Sequence, residues 1–338
     1  MRLCSILSVL ALVLFMSPGR AETPLRIMTF NAEILVAPGE RAGDIQKYRW
    51  DVAREEQFEK IAAVIEGLNP DVLNIVEVTS KGGVDKLVGM LHEKGLTDYR
   101  GYHIEGDDDF SKLDVALISR VEPESIDGQQ IRKFHSEQDD PTWRQSFPAP
   151  SRSGGTFNAN TSLSRHAVYM MDVGGYKLGF LGLHLKSNPS DEYSNAQRSA
   201  QAKVAVRVLR SQIAGEGYLP IVLGDINDFD PDVPDHDDNQ DTVTEVIKNL
   251  KDFDPERPGP ELENVAKLMP RKADRYTCFW DRNENGAKDP YDVFSMIDHI
   301  FLPQELMPHV KRAFIFHGVP LEASDHYPVV VDLVLPDR

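Results

Sequence analysis

The chain has 338 residues, of which 41% are hydrophobic and 27% are charged, and its formal net charge at pH 7 is −17. This composition can supply a sizeable core and argues against global disorder. So acidic a chain has no general electrostatic attraction for nucleic acid or anionic lipid, and a polyanion would have to be met by a local basic patch or by bound cations. The length fits one large α/β domain or two modest ones.

The first 21 residues have the pattern of a secretory signal peptide. Arg2 supplies a positive start, Leu3 to Met16 is an almost uncharged apolar run, and Ala21 offers a small residue for cleavage. The run is too short to span a bilayer comfortably, and the alternative is a buried first helix. We therefore expect a secreted or periplasmic protein whose mature chain, residues 22–338, forms a single domain with no stable membrane association.

Removal of this peptide would leave Cys278 as the only cysteine, because Cys4 lies within the removed segment. No intramolecular disulfide is then possible, so stability must come from core packing and bound metal. Loss of Arg2 and Arg20 also takes the formal charge from −17 to −19. Carboxylates in such excess can bind the hard divalent cations that are plentiful outside cells.

The predicted elements of the first half are strands with a helix between them. Leu25 to Asn31 alternates apolar and polar residues, as a half-buried strand does. Apolar residues then recur at helical spacing within Asp51–Leu68, and an Asn-Pro pair ends that helix. Val72 to Glu77 is a buried strand ending in a carboxylate, and Val115–Ile118 is another apolar strand. A strand, a helix and a strand in this order begin an α/β fold.

The second half repeats this order after a long loop region, residues 131–161, that is rich in Ser, Pro, Gly and Arg. A hairpin turning at Gly174-Gly175 is followed by a strong helical pattern over Asn195–Ile213 and by a buried strand, Pro220–Asp225. The last predicted segments are a helix over Thr242–Leu250 and two strands over Met296–Leu302 and Val329–Val334. The similar order in the two halves favours one domain built from two similar layers.

Polar residues gather where the apolar strands end, namely Asn31, Glu77, His184, Asp225, Asn227, Asp298, Asp325 and His326. Any one of them alone would more often be a helix cap or a turn residue. As a set, they supply mainly carboxylate and amide oxygens, which suit Mg²⁺, Mn²⁺ or Ca²⁺, whereas Zn²⁺ favours His and Cys. The joint pattern therefore indicates a site for a hard divalent cation.

Seven short motifs occur in order on these predicted elements, namely Met28–Asn31, Asn74–Val78, Asp114–Arg120, Gly182–Ser187, Gly224–Asn227, Ile297–Ile300 and Ser324–Pro328. Each is weak alone, but the ordered set resembles the endonuclease/exonuclease/phosphatase superfamily. The resemblance implies a four-layer α/β sandwich of two mixed β-sheets flanked by helices. It also implies an enzyme that hydrolyses phosphate esters with the help of a divalent metal.

The resemblance assigns the metal and the base. Glu77, helped by Asn31 and Asp325, would hold a catalytic Mg²⁺ (or Mn²⁺) against a phosphate oxygen. His326, oriented by Asp298, would be the general base that activates the attacking water. A His paired with a carboxylate keeps one tautomer and stays basic near neutral pH.

Further matched residues would serve the transition state. Asp225 would position the water or assist the leaving group, and Asn227 and His184 would donate hydrogen bonds to the developing charge. His184 could instead be a core histidine, but Lys186 beside it favours a strand end that faces phosphate. Asp114 is expected to orient a neighbour such as His184, and the Tyr that many members carry just before that strand is missing.

Residues 281–292 fit the spacing of an EF-hand calcium loop independently of the resemblance. The candidate ligands are Asp281, Asn283, Asn285, Ala287, Asp289 and Asp292, with Gly286 at the sharp turn. The alternative is a surface turn rich in Asn and Gly. No flanking helix pair is evident, so we expect a structural Ca²⁺ clip rather than a sensor. The Asp-rich run 228–241 is expected to be a solvated loop, with a further cation site as the alternative.

Positive charges cluster with aromatics in a few loops, around Trp50, around Trp143, and from Lys267 to Trp280. Such loops suit phosphate clamping and base stacking, although ordinary charged loops have the same composition. Arg275 precedes a Tyr-Thr pair as in nuclease members of the superfamily, so Arg275 and Lys186 are predicted to bind substrate.

The first functional hypothesis is therefore a secreted nuclease that cleaves DNA, and RNA as well, for nutrient scavenging. The alternatives are a sphingomyelinase-type phospholipid phosphodiesterase, a phosphomonoesterase, and a calcium-stabilised binding protein that has lost catalysis. A lipid-cleaving enzyme would need an exposed apolar hairpin at the mouth of the site, and the sequence shows none. No protein partner is implied.

Overall fold

A computed structural model describes residues 22–43, 52–135, 141–151, 153–239, 244–283 and 285–338. The predicted signal peptide lies outside these ranges. The strands in chain order are β1 Glu22–Leu35, β2 Val72–Val78, β3 Arg100–His103, β4 Asp114–Ser119, β5 Gln145–Pro150, β6 Thr156–Thr161, β7 His166–Val173, β8 Tyr176–His184, β9 Leu219–Asp225, β10 Leu262–Asn264, β11 Cys278–Trp280, β12 Val293–Ser295, β13 Asp298–Pro303, β14 Val310–Ile315 and β15 Val329–Pro336.

Two mixed sheets form the centre of the molecule. The first has the order β14-β15-β1-β2-β4-β3, and the second has the order β10-β13-β9-β8-β7. One pair in each sheet is parallel, β1 with β2 and β8 with β9, and the other pairs are antiparallel. Two further hairpins, β5-β6 and β11-β12, stand outside the sheets.

Helices cover the outer faces. The α-helices are α1 Glu55–Leu68, α2 Lys81–Glu93, α3 Glu192–Val208 and α4 Val246–Lys251. Helices α1 and α2 contact strands of the first sheet, whereas α3, α4 and the turns after α3 contact the second sheet, and the sheets contact each other. The result is the four-layer α/β sandwich that the sequence predicted. Among the residues described, no helix is both long and apolar enough to cross a membrane.

The core follows from the alternation of side chains along the central strands. Phe180, Ile221 and Leu223 join a buried cluster that also contains strands of the first sheet, whereas their neighbours Leu181 and Val222 join a second cluster beneath α3. Successive residues of a strand point to opposite faces, so strands with apolar residues on both faces must be covered on both sides. This is why β8 and β9 lie in the middle layers.

Local signals account for most helix boundaries. Asn69 caps the C-terminus of α1 with a left-handed φ of 51°, and the next residue is Pro70. Asp191 caps the N-terminus of α3, because its side chain accepts a hydrogen bond from the backbone N–H of Ser194 at 2.8 Å. Helix α2 was not predicted, and its start is capped by the Ser80 side chain. The predicted long loop region 131–161 contains the β5-β6 hairpin, so that prediction was wrong for residues 145–150 and 156–161.

Candidate active site

Strand register brings together polar residues that are far apart in the sequence. In the second sheet, Asp225 at the end of β9 is paired with His184 of the parallel strand β8 and with Asp298 of the antiparallel strand β13. In the first sheet, Asn31 of β1 lies opposite Val76 of the parallel strand β2, one residue before Glu77. Both parallel pairs thus end in polar side chains at one edge of the sandwich.

Asn31 joins these two groups. Its amide Nδ2 donates to Oε1 of Glu77 and to Oδ2 of Asp225, each at 3.1 Å. Its Oδ1 accepts the backbone N–H of Glu33 at 3.0 Å. The amide nitrogen, rather than the oxygen, therefore faces the carboxylates. In this orientation Asn31 holds the carboxylates in place, and a half-turn of the amide would be needed for it to bind a cation.

Strained backbone supports Glu77. Its own φ is 65°, and Ile34 in the β1 bulge has φ 56°, which is rare for a β-branched residue. The bulge points the Ile34 N–H at Oε2 of Glu77, at 3.0 Å. Burial raises the pKa of Glu77, while the positive charge of His326 opposes that shift. The local structure is thus shaped around this one carboxylate.

His326 and Asp298 form a hydrogen-bonded pair, as predicted. Nδ1 of His326 lies 2.7 Å from Oδ2 of Asp298, which leaves Nε2 as the nitrogen available for chemistry. Burial alone would lower the pKa of His326, but the charge of Asp298 and contact with the Cys278 thiol raise it well above its ordinary value. A divalent cation bound by nearby carboxylates would lower it again.

The Asp225 carboxyl is strongly perturbed by its surroundings. Burial and the charge of Asp298 raise its pKa to about 8, so the carboxyl can hold a proton at neutral pH. Its Oδ1 accepts the N–H of Asn227, which sits at a left-handed φ of 54°. The Asn227 side chain donates to the Leu185 carbonyl at 3.3 Å and is 5% exposed. Its predicted contact with a transition state stays a prediction.

His184 lies between the carboxylates and a cation. Its Nε2 is 3.6 Å from Glu77 and 3.7 Å from Asp225, and Arg165 approaches the same nitrogen at 3.3 Å. Burial and then the Arg165 charge lower the pKa of His184 well below its ordinary value, so the imidazole is neutral. Its Nδ1 is buried without a hydrogen-bond partner.

A cavity of about 490 Å³ opens beside this cluster. Glu77, His184, Arg165 and Lys186 line it, together with Phe110, whose side chain is one of the exposed large apolar groups. Burial and the neighbouring Arg165 lower the pKa of Lys186. The cavity is therefore lined by both carboxylates and two basic side chains, which suits a phosphate bridged by a cation.

Comparison with solved structures identifies the fold. An endonuclease/exonuclease/phosphatase family protein from Leptotrichia buccalis matches with a TM-score of 0.54 at 17% identity, over 91% of this chain and 99% of that one. TDP2 from C. elegans matches at 0.51 and 14%, over 92% and 75%. TDP2 from D. rerio, solved with a single-strand DNA product, matches at 0.51 and 16%, over 91% and 98%. This chain has the endonuclease/exonuclease/phosphatase fold.

No family model and no curated protein matches the sequence. The endonuclease/exonuclease/phosphatase fold is thus established by backbone architecture at low sequence identity, and it confirms the fold that the seven motifs indicated. The predicted strand-end residues Asn31, Glu77, His184, Asp225 and Asp298 meet at one junction of the two sheets. Their individual roles stay predictions.

Arg165 was missed, although the sequence contained a signal for it. The predicted hairpin turns at Gly174-Gly175, and continuing its register places Arg165 opposite His184. The structure has this pairing, because the His184 N–H donates to the Arg165 carbonyl at 3.0 Å. An arginine one residue before a strand looks like an ordinary loop residue unless the hairpin register is extended beyond the apolar segment.

Two side chains are placed differently from prediction. Asp114 bonds to His103 at 2.8 Å and to the N–H of Gly106, so it does not orient His184. The Arg275 guanidinium donates to the Met269 carbonyl, at 3.2 and 2.6 Å, and to the Pro234 carbonyl. Arg275 thus fixes two loops, and the structure does not place it among the residues lining the cavity.

The basic loops are largely neutralised by acidic neighbours. In the third of them, Lys267 pairs with Glu263 and Lys272 with Asp238. In the second, Lys133 pairs with Asp107. Trp50 and the basic residues 47, 49 and 152 lie outside the described residues. These loops therefore offer less free positive charge than their composition suggested.

The start of the Asp-rich run is neither solvated nor free for a cation. Asp228 is buried against the fully buried Arg198, and Asp230 is buried against Lys251. Protein cations therefore satisfy these two carboxylates. Asp235 is also buried and accepts the backbone N–H of Met296 at 3.2 Å. The described part of the run ties the loop after β9 to the rest of the second sheet.

The predicted calcium loop folds with its carboxylates turned inward. Asp281 accepts the N–H of Gly286 at 2.7 Å, and Asp292 accepts the N–H of Asp289 at 2.6 Å. Gly286 has the left-handed φ of 72° that the sharp turn requires. Lys288 projects from the loop onto the ring of Tyr327, 4.4 Å from its centroid. The loop is therefore attached to the residue that follows His326.

The sequence predicted no exposed apolar hairpin, and the structure shows one exposed aromatic side chain on the β5-β6 hairpin. Phe157 on β6 is 51% exposed and stacks near Tyr193, with 6.5 Å between ring centroids. Thr161 at the end of the same strand accepts a hydrogen bond from Gln197, which lines the active-site cavity. The β5-β6 hairpin thus stands close to the mouth of the cavity.

Proposed function

We propose that this protein is a divalent-metal-dependent phosphodiesterase, with a nucleic acid as its substrate. The observation that carries the proposal is the junction at which Asn31 ties Glu77 to Asp225, beside the His326–Asp298 pair. In this fold, such a junction combines ligands for a hard cation with an oriented base. A protein with only a structural or a binding role would not need both the cation ligands and the oriented base.

The donor set fits Mg²⁺ or Mn²⁺. Glu77, His184 and Asp225 have ligand atoms within 4.8 Å of one another, and so do Asp225, Asp298 and His326. Oδ1 of Asp298 is buried without a hydrogen-bond partner, and a nearby cation would compensate for this. Glu77 is the central candidate ligand, and Asp325 adds a second carboxylate to the set. When bound, the ion would polarise the phosphate and neutralise its developing charge.

The chain's own residues account for the other steps. His326 holds its Nδ1 proton toward Asp298, so Nε2 can accept a proton from the attacking water. Asp225, with a pKa of about 8, can return a proton to the leaving oxygen. Arg165 and Lys186, which line the same cavity, neutralise the phosphate. The water oxygen bonds to phosphorus as one ester P–O bond breaks, and the products are a phosphate monoester and an alcohol.

The metal and base assignments can be tested with one substrate and three proteins. We expect hydrolysis of bis(p-nitrophenyl) phosphate or DNA to stop with a chelator and to return with Mg²⁺. His326→Ala should lower kcat by about 100-fold or more, the typical contribution of a general base. His309→Ala, at the opposite end of the first sheet, is the matched control and should retain activity. Undiminished turnover by His326→Ala would refute the proposal.

Nucleic acid is favoured by the cavity lining. Arg165 and Lys186 suit a phosphate, and the 55% exposed Phe110 beside them offers a ring on which a base can stack. The fold relative from D. rerio was solved with a single-strand DNA product. We expect Phe110→Ala to raise KM for an oligonucleotide several-fold while leaving KM for an abasic oligonucleotide of the same length, which has no base to stack, within about twofold.

A lipid phosphodiesterase is the second candidate, because of the exposed Phe157 on the β5-β6 hairpin. An apolar hairpin next to a phosphate site can insert into a membrane interface. Assays on DNA, RNA and sphingomyelin vesicles distinguish the two candidates. Turnover of sphingomyelin without turnover of DNA, together with its loss in Phe157→Ser, would replace the nucleic acid proposal.

Two further proposals concern location and calcium. We propose that residues 1–21 direct export, which predicts a mature N-terminus at Glu22 when the protein is recovered from the periplasm or medium. We also propose that Ca²⁺ binds the loop Asp281–Asp292, because its carboxylates already face inward. Ca²⁺ should then raise Tm in the intact protein and not in Asp281→Asn. An equal rise in both would refute the loop site.

A further inference from the structure

Cys278 lies beside the proposed base although nothing in the proposed chemistry uses a thiol. Its strand β11 forms an isolated bridge with His326, and the N–H of Phe279 donates to the Asp325 carbonyl at 3.0 Å. The segments that carry the thiol, the imidazole and the carboxylate are therefore held against each other by backbone hydrogen bonds. Burial raises the pKa of the thiol to about 11, against the opposing charge of His326.

The side chains of Cys278, Asp325 and His326 form a ligand group of their own. One ligand atom from each lies within 4.8 Å of the other two. Nε2 of His326 is 3.8 Å from Oδ1 of Asp325. Ligand atoms on a tetrahedral zinc, with bonds of about 2.0 to 2.3 Å, are roughly 3.5 Å apart, so small side-chain adjustments would suffice.

The chemistry of this group differs from that of the all-oxygen part of the junction. Sulfur, imidazole nitrogen and carboxylate oxygen together are a donor set for Zn²⁺ and similar borderline cations, whereas Mg²⁺ has little affinity for a thiolate. The coordinating cation itself displaces the thiol proton to solvent. Apolar packing does not explain Cys278 well either, because its neighbours are the His326 imidazole and a carboxylate.

The surroundings prepare the imidazole as a ligand and leave access. The Nδ1 of His326 is fixed by Asp298 at 2.7 Å, and such a carboxylate partner orients the other ring nitrogen toward a metal. Asp298 is fixed in turn, because its N–H donates to Oγ1 of Thr277 at 2.9 Å. The Asp325 side chain is 45% exposed, so an ion can enter and retain a water as its fourth ligand.

We propose that Cys278, His326 and Asp325 form an inhibitory site for Zn²⁺. The inhibition rests on the proposed function, because it assumes that His326 is the base. A cation on Nε2 would occupy the nitrogen that must accept a proton, and it would also withdraw Asp325 from the Mg²⁺ ligands. Cys278 determines which cation is bound, since the same residues without a thiol would offer Zn²⁺ little advantage.

The first test measures zinc inhibition of the full chain in excess Mg²⁺. Cys278→Ser is the matched variant, because it keeps the size and polarity of the side chain and removes the sulfur ligand. Inhibition is normalised to the activity of each protein without Zn²⁺. We expect Cys278→Ser to need at least a tenfold higher Zn²⁺ concentration for half-inhibition, since even indirect partners of a metal change affinity by about 10- to 100-fold. Equal inhibition of both proteins would overturn the proposal.

The second test is independent of catalysis. Co²⁺ is titrated into the protein, and its near-ultraviolet thiolate-to-cobalt charge-transfer band is recorded, with Cys278→Ala as a second variant without any ligand at this position. A band in the wild type that is missing from both variants supports the site, even if every phosphodiester assay fails. If folded wild-type protein shows no such band at saturating Co²⁺, the proposed site is overturned. This holds even if Zn²⁺ inhibits the enzyme by binding the carboxylates.

Discussion

Asn31 is the residue on which the geometry of the junction depends most directly. It is 1% exposed, and one amide nitrogen is shared between Glu77 from the first sheet and Asp225 from the second. A half-buried and a buried carboxylate this close repel each other when both are ionised, and a shared donor reduces that repulsion without adding charge. An amide is better suited to this position than a cationic side chain, which would compete with a metal ion.

Replacing Asn31 by Ala should therefore weaken metal binding more than folding. We expect the Mg²⁺ concentration for half-maximal activity to rise by about 10- to 100-fold, because residues that orient ligands contribute on that scale. A Mg²⁺ titration of activity checks this. Asn249→Ala on α4, outside the cavity lining, is the control. Unchanged Mg²⁺ dependence in Asn31→Ala would contradict the role we assign.

Asp298 sets both the tautomer and the basicity of His326. Its charge raises the pKa of His326, so Asp298→Asn should lower that pKa. A base acts when it is unprotonated, and the rising limb of the activity–pH profile should therefore move to lower pH. The loss of orientation should reduce kcat by about 100-fold or more. A reduced kcat with an unshifted limb would show that Asp298 acts on something other than His326.

At the scale of elements, the calcium loop and the last active-site segment are one assembly. Lys288 of the loop lies over the ring of Tyr327 and is 5.2 Å from the ring centroid of Tyr276. Cation–π contacts that are partly shielded from water are stronger than exposed ones. The loop can therefore stabilise the segment 325–327 without contacting substrate.

Lys288→Ala should destabilise the protein by about 1 kcal/mol, the scale of such contacts. Urea unfolding at fixed Ca²⁺ measures this. The control is Lys267→Ala, which removes an exposed lysine that pairs with Glu263 and should cost less than about 0.5 kcal/mol. A loss in Lys288→Ala no larger than in the control would mean that the loop is not anchored through this side chain.

At the scale of the whole molecule, the junction is a concentration of charge in a chain that is already acidic. Burial raises the pKa of Asp225 to about 8, and the neighbouring carboxylate raises that of His326. Both folded-state values lie above those of the unfolded chain. Above pH 7 the folded state therefore binds more protons than the unfolded state, and stability must fall as the pH rises.

We expect Tm to fall between pH 7 and pH 9 when divalent cations are removed, and Mg²⁺ to raise Tm more at pH 9 than at pH 7. The lowered pKa values of His184 and His166 make stability rise with pH, which is the opposite direction. That rise is complete below this pH range. Thermal unfolding of the wild type and Asp225→Asn provides the check, and the variant should show a weaker pH dependence. A wild-type Tm that rises with pH would contradict the argument.

Much of the fold could be predicted because its signals are local. The Asn69-Pro70 stop of α1, the Gly174-Gly175 turn and the apolar strands with polar ends all follow from residues close in sequence. The β5-β6 hairpin could not be predicted, because its residues alternate weakly and are stabilised by packing on α3. Its exposed Phe157 is the observation that keeps a lipid substrate as the second candidate.

Side-chain alternation and helical periodicity predicted the strands, the helices and the chemical types at the strand ends, because these patterns are properties of neighbouring residues. The four layers were implied by the family resemblance of the ordered motifs. The tertiary structure alone shows which partners those residues have. It directed Asn31 to two carboxylates, Asp114 to His103, Arg275 to backbone carbonyls, and Cys278 to His326. Such pairings depend on strand register and on the approach of the two sheets, and a shift of one residue would turn each side chain to the opposite face.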